Sequence, residues 1–251
     1  MKKIFVFIII LCGITFLNAQ ENQNITSLKG HYIGVKSGLL FANTFRVCND
    51  DSWICVILKT EFNPKIKAGF SGGFTYHYTF NNGLTLGADL IYAIKRIHTT
   101  RRIDKREFRP LNPNDPIFLG LPDSILTSSI YQEHYLKIPL TIGYTVGKKL
   151  NYFVNAGVVP GISVLLKSRI TDTNYYPSHT EVSKYVATII DGKTFSLNAI
   201  LETGVGYTLN KFVVYASANG ECSILPLDFK SPYKQYYYSF GFNIGVNYKI
   251  R

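Results

Sequence analysis

The segment "YYYSFGFNIGVNYKI", residues 236–250, places Tyr236, Tyr238, Phe240, Phe242, Ile244, Val246, Tyr248 and Ile250 on alternate positions. Between them stand Tyr237, Ser239, Gly241, Asn243, Gly245, Asn247 and Lys249. A period of two belongs to an extended strand, whose successive side chains point to opposite faces. One face here is oily and aromatic, the other small and polar. The fold turns on what lies against each.

The chain opens MKKIFVFIIILCGITFLNAQ: a basic start at Lys2 and Lys3, an apolar run, and a small residue at Ala19. This reads as a cleaved secretory signal peptide over residues 1–19. Its removal lowers the formal charge from +11 by the two lysines to +9. Residues 20–30 form a short lead, and 31–251 one domain. No later run reaches the roughly 18 apolar residues of a membrane helix. The 18 tyrosines, 17 phenylalanines and 20 glycines, set in repeated alternation, predict an all-β chain.

Eight alternating segments stand out, at about 31–42, 66–80, 84–97, 131–146, 150–167, 194–209, 212–225 and 235–250. Between them, long polar stretches (43–65, 98–130, 168–193, 226–234) alternate with the short turns "NNG", "GKK" and "NK". Short turns on one side and long loops on the other predict an eight-stranded antiparallel up-and-down transmembrane β-barrel, with periplasmic turns and extracellular loops.

Directly paired residues of an antiparallel ladder share a face. The three short turns pair Phe80 with Leu84, Val146 with Leu150, and Leu209 with Phe212, and all keep one consistent apolar face. The opposite faces gather Lys36, Asp89, Lys137, Glu202 and Glu221 among Gly, Ser, Thr and Asn. A soluble barrel would not collect such residues inward, and the lumen of an eight-stranded barrel is only wide enough for side chains to fill. A buried charge without partners is costly, so these five are expected to form a polar network that plugs the lumen. The aromatic face of 236–250 then meets lipid, with tyrosines near strand ends as interfacial girdles.

The second long stretch, "KRIHTTRRIDKREFRPLNPNDP", holds Lys95, Arg96, Arg101, Arg102, Lys105, Arg106 and Arg109. Arg96, Arg101, Arg102, Lys105, Arg106 and Arg109 are candidate contacts for lipopolysaccharide phosphates, because arginine pairs well with phosphate; a merely solvated loop is the alternative. "RIHTTRRIDKREF" is expected to extend the strand or a hairpin above the membrane, and the Pro-rich remainder to form a lid. Cys48 and Cys55, seven apart in an exported chain, are expected to form a local disulfide, with two free thiols as the alternative.

No phosphate-cradling glycine loop or zinc spacing is present, and no cofactor, metal or nucleic-acid partner is expected. His134 with Glu133 at a strand mouth would be the base with its orienter in an outer-membrane hydrolase or acyltransferase, although no nucleophile stands in register. His77 is expected to fill the lumen near the periplasmic turn.

"YIGVKSGLLFANTF", "GGFTYHYTFNNGLTLGADLIYAIKR", "HYLKIPLTIGYTVGKKLNYFVNAGVVPGISV" and "FSLNAILETGVGYTLN" together resemble the PorT-like outer-membrane β-barrel family of Bacteroidota. The most specific stretch carries Tyr135, Leu136, Ile138 and Pro139, followed by Gly157 and Gly161. Lys137 stands where the family has an acidic residue, and the chain ends on Arg251, not on an aromatic. The resemblance implies an integral outer-membrane barrel, with one namesake member tied to protein secretion. The expected role is non-enzymatic: presenting extracellular loops, or serving an envelope or secretion complex, with outer-membrane lipid, lipopolysaccharide and other envelope proteins as partners. A second reading, a secreted soluble barrel holding an apolar ligand, requires the Phe, Tyr and Leu faces to point inward.

Overall fold

The computed structural model describes residues 28–48, 63–104, 122–189, 195–225 and 233–250. Ten β-strands are formed: β1 (Gly30–Cys48), β2 (Asn63–Thr79), β3 (Leu84–Asp104), β4 (Ser124–Lys137), β5 (Leu140–Gly147), β6 (Leu150–Tyr175), β7 (Thr180–Ile189), β8 (Phe195–Leu209), β9 (Phe212–Ser223) and β10 (Tyr233–Lys249). All pair antiparallel in one sheet, which closes on itself where β1 meets β10 and β2 meets β3. β4 and β5 are two halves of one span, because both lie between β3 and β6 and the register runs on from Lys137 to Leu140 against each neighbour. β7 pairs with β6. The ring therefore has eight spans, and β7 is a flap standing above it.

The turns follow from local chemistry. Asn81-Asn82-Gly83 reverses the chain with Gly83 at φ +83°, a left-handed value that glycine adopts without steric cost. The Asn82 side chain accepts from the Leu84 amide, and Phe80 stands in register with Leu84 through the Phe80 N–H to Leu84 C=O bond. Leu209 pairs with Phe212 across Asn210-Lys211. The "GKK" turn corrects the expected register: Val146 pairs with Tyr152, not Leu150. Gly147 takes φ +105° there and shifts the ladder by two residues. An even shift leaves every side chain on its expected face.

Two long stretches carry strands, the first as expected and the second where a loop was expected. β3 runs on to Asp104 and meets β4 as far as Ser124, so "RIHTTRRID" extends a strand. Residues 168–193 contain the end of β6 and all of β7, paired from Leu166 with Ile189 to Tyr175 with Thr180. The Pro-rich 110–121 lies outside the described residues. β3, β4, β6 and β7 thus form a four-stranded wall on one side of the barrel, while β8 and β9 stop near Phe195 and Ser223.

Facing decides between lipid and core. Phe74, Phe242 and Ile244 are 68%, 58% and 70% exposed on the outside of the ring. Inside, Asn243, Asn247, Ser217, Glu202 and Lys137 are buried. The soluble-barrel reading needs the opposite arrangement. At Gly245 an added Cβ would lie 2.4 Å from the Tyr215 ring, so glycine there leaves the lumen room for that aromatic.

Phe242 lies near mid-span, so Phe242→Arg is expected to destabilise the barrel folded in lipid vesicles by about 2–4 kcal/mol, read from urea titration. An unchanged midpoint would show that this face does not meet hydrocarbon.

Candidate functional site: a filled lumen beneath an external wall

Inward positions of the spans build the lumen in tiers. In the lower tier β1 supplies Lys36, β3 Asp89 and β8 Glu202. The Lys36 ammonium lies 2.7 Å from Asp89 and 3.7 Å from Glu202. Ser217 donates to Glu202 at 2.7 Å, and Thr75 to Asn247 at 2.7 Å. Beneath them is a cavity of about 80 Å³ lined by Tyr32, Thr75, His77, Asp89, Phe153 and Tyr215, among others. His77 stacks on Tyr32, centroids 4.8 Å apart, as a filler of the periplasmic end.

One tier higher, Lys137 of β4 reaches both carboxylate oxygens of Glu221 on β9, at 2.8 and 2.7 Å, and Asn198 donates to the same carboxylate at 3.4 Å. The five charges singled out from sequence thus stand as two clusters, Lys36 with Asp89 and Glu202, and Lys137 with Glu221. Such pairs are needed because an unpaired charge in a dry interior is far more costly than a neutral one.

The upper tier holds groups that sequence reasoning assigned elsewhere. Lys95, counted with the loop cations, is 1% exposed and sits 4.4 Å from the ring centroids of both Tyr135 and Tyr237. Leu40, Ala93 and Ile97 close around these rings. Tyr237 donates to Glu133, which pairs across the ladder with Lys95. Strand parity carries the missed signal: Ile91, Ala93, Lys95 and Ile97 continue the inward row of Asp89. Chemically, the column is a plug of paired charges and packed rings.

Consecutive residues of a strand face opposite ways, and this separates Glu133 from His134. Glu133 points to the lumen, whereas His134 lies outside against Tyr92, hydroxyl to Nδ1. The two do not form a base and its orienter. Among the described residues, no group of three or more His, Cys, Asp or Glu is placed to hold a metal ion.

On the wall, Arg96 and Arg102 fall on the outer face and Arg101 on the inner, by alternation along the β3–β4 ladder. Lys105, Arg106, Arg109 and Cys55 lie outside the described residues; Cys48 ends β1. His98 bonds to Ser128 at 2.9 Å, and partial burial, then Lys67 and Lys65, hold its pKa below the usual range. It is therefore mostly neutral at pH 7.

A ring of eight tilted spans, oily outside and ion-paired within, is the architecture of a transmembrane β-barrel. The chain belongs to the outer membrane protein beta-barrel domain family, whose model matches residues 18–220, and this places it in the outer membrane. Solved structures of similar shape include Neisserial surface protein A (13% identity, 88% of this chain and 97% of that one, TM-score 0.37). Others are Ail, the attachment invasion locus protein of Yersinia pestis (13%, 88% and 100%, TM-score 0.34), and OprG from Pseudomonas aeruginosa (10%, 90% and 99%, TM-score 0.43). No curated protein matches the sequence.

Glu221→Gln strands the Lys137 ammonium and is expected to cost about 3–5 kcal/mol of folding stability in vesicles. Lys137→Met with Glu221→Leu should recover most of that loss by urea titration. Equal losses in both variants would show that the pair itself is not the source.

Proposed function

We propose that this protein is a non-enzymatic outer-membrane barrel, exported by its cleaved 1–19 signal peptide, whose work is done by the wall and loops above the membrane. One observation carries the reading. The lumen is filled at the level of Lys95, Tyr135 and Tyr237, while β3, β4, β6 and β7 continue well past it. A filled eight-stranded lumen offers no passage for solutes, and its ion pairs are used up on one another. The wall, by contrast, is exposed on both faces at Val182, Lys184, Tyr185 and Val186, which suits display to a partner. The resemblance of residues 31–250 to the PorT-like group supports service within an envelope or secretion complex over solitary action.

Two measurements test this. Planar-bilayer recordings of the refolded protein should show no stable conductance, and reproducible single-channel steps would overturn the plug. An epitope inserted between Pro177 and Ser178 should be labelled on intact cells. The same epitope between Lys148 and Lys149 should be reached only after the outer membrane is permeabilised.

A further inference from the structure

We propose that the outer face of the wall binds the phosphate groups of the outer-leaflet glycolipid, lipopolysaccharide. This rests on the outer-membrane placement above. The ladders align two rows across β2, β3, β4 and β6: Lys67, Arg96, Gln132 and Lys167 in the lower row, and Lys65, His98, Ile130 and Arg169 in the upper. Strands lie about 4.8 Å apart and alternate residues of a strand about 7 Å. Five full cations thus share a patch about 15 Å by 7 Å.

Two register shifts create the patch. β2 gains a residue between Lys67 and Phe70, and β6 gains one where β4 passes from His134 to Tyr135. Strict alternation would send Lys65 and Lys67 inward with Ser71, and Lys167 and Arg169 inward with Ser163. On the β3 and β4 sides the bulges set them opposite outward residues instead, although the unshifted β1 ladder keeps Lys67 opposite the inward Ala42; bulges re-aim side chains in this way. They flank the level of the outward Phe70 and Ile94, the β2 bulge just above it and the β6 bulge just below.

That height fits a headgroup. Arg96 is twelve residues along β3 from Leu84; at about 3.3 Å per residue and a tilt near 40°, it stands about 30 Å above the periplasmic edge, just beyond an apolar band of about 25 Å. Below it the outer face reads Ile94, Tyr92 and Leu90. Among the described residues, none of the five cations pairs with a carboxylate, although like charges opposite one another destabilise a sheet. A bilayer-anchored phosphate at this level supplies the missing counter-charge, and arginine and lysine are the groups that bind it.

The test folds the full mature chain into phosphatidylcholine nanodiscs, with insertion checked by heat-modifiable gel mobility. Diphosphorylated lipid A, or the same lipid stripped of phosphate, is added, and bound lipid is counted by native mass spectrometry. Wild type should retain the phosphorylated form about tenfold better, the scale of one or two charge-assisted bonds. Lys65→Gln/Arg96→Gln/Lys167→Gln should lose that preference, while the charge-matched Lys148→Gln/Lys149→Gln/Lys211→Gln at the periplasmic turns should keep it. Equal retention of both lipids, or an unchanged triple variant, overturns the proposal and leaves the barrel reading intact. Complete displacement by excess inorganic phosphate overturns the lipid assignment. A chain that does not insert sinks both.

Discussion

In hydrocarbon a backbone amide has no water to bond, so each N–H and C=O of a spanning strand must find another strand. That requirement makes the pairing of β1 with β10 the contact on which everything else depends. It runs from Tyr32 with Lys249 to Cys48 with Tyr233, the full length of the seam. Closing the ring with eight spans narrows the lumen until only side chains fit. Charges turned inward can no longer reach solvent and must find partners inside, as Lys36 does on Asp89, Lys137 on Glu221 and Lys95 on two tyrosine rings.

Above the membrane the constraint lifts and the symmetry goes with it. β8 and β9 stop near the top of the apolar band, whereas β6 runs for 26 residues and carries β7 beside it. The molecule is therefore two objects sharing strands: a sealed anchor, and a one-sided sheet that both presents its faces and stands against the leaflet. Tyr185, donating to Asp172 at 2.5 Å, ties the flap to its neighbour on the inner side of that sheet.

Much of the anchor was legible because lipid outside and a polar lumen inside impose a binary choice at every position. Residues 236–250 and the short turns give strands, faces and ring closure from period two alone. The hairpin of β6 and β7 was not legible: "TDTNYYPSHTEVSKYVAT" is wet on both faces, so alternation gives no signal there. Lys95 was masked by its arginine neighbours, although its parity with Asp89 pointed inward. The cationic rows were the least readable. Lys65, Lys67, Arg96, Lys167 and Arg169 are scattered over about a hundred residues, and two bulges reverse the facing that simple counting assigns.

The split between β4 and β5 has a consequence for how the barrel opens. The Asp89 backbone N–H donates to the Pro139 carbonyl at 3.0 Å and that of Ile138 to the Pro160 carbonyl at 2.9 Å, but neither proline has an N–H to return the bond. One rung is therefore missing on each side of the same span, at mid-depth, where no solvent stands ready to replace it. Thermal breathing should start at this weakened staircase, with amide exchange around residues 137–140 and 160–161 outpacing that of the β1–β10 seam.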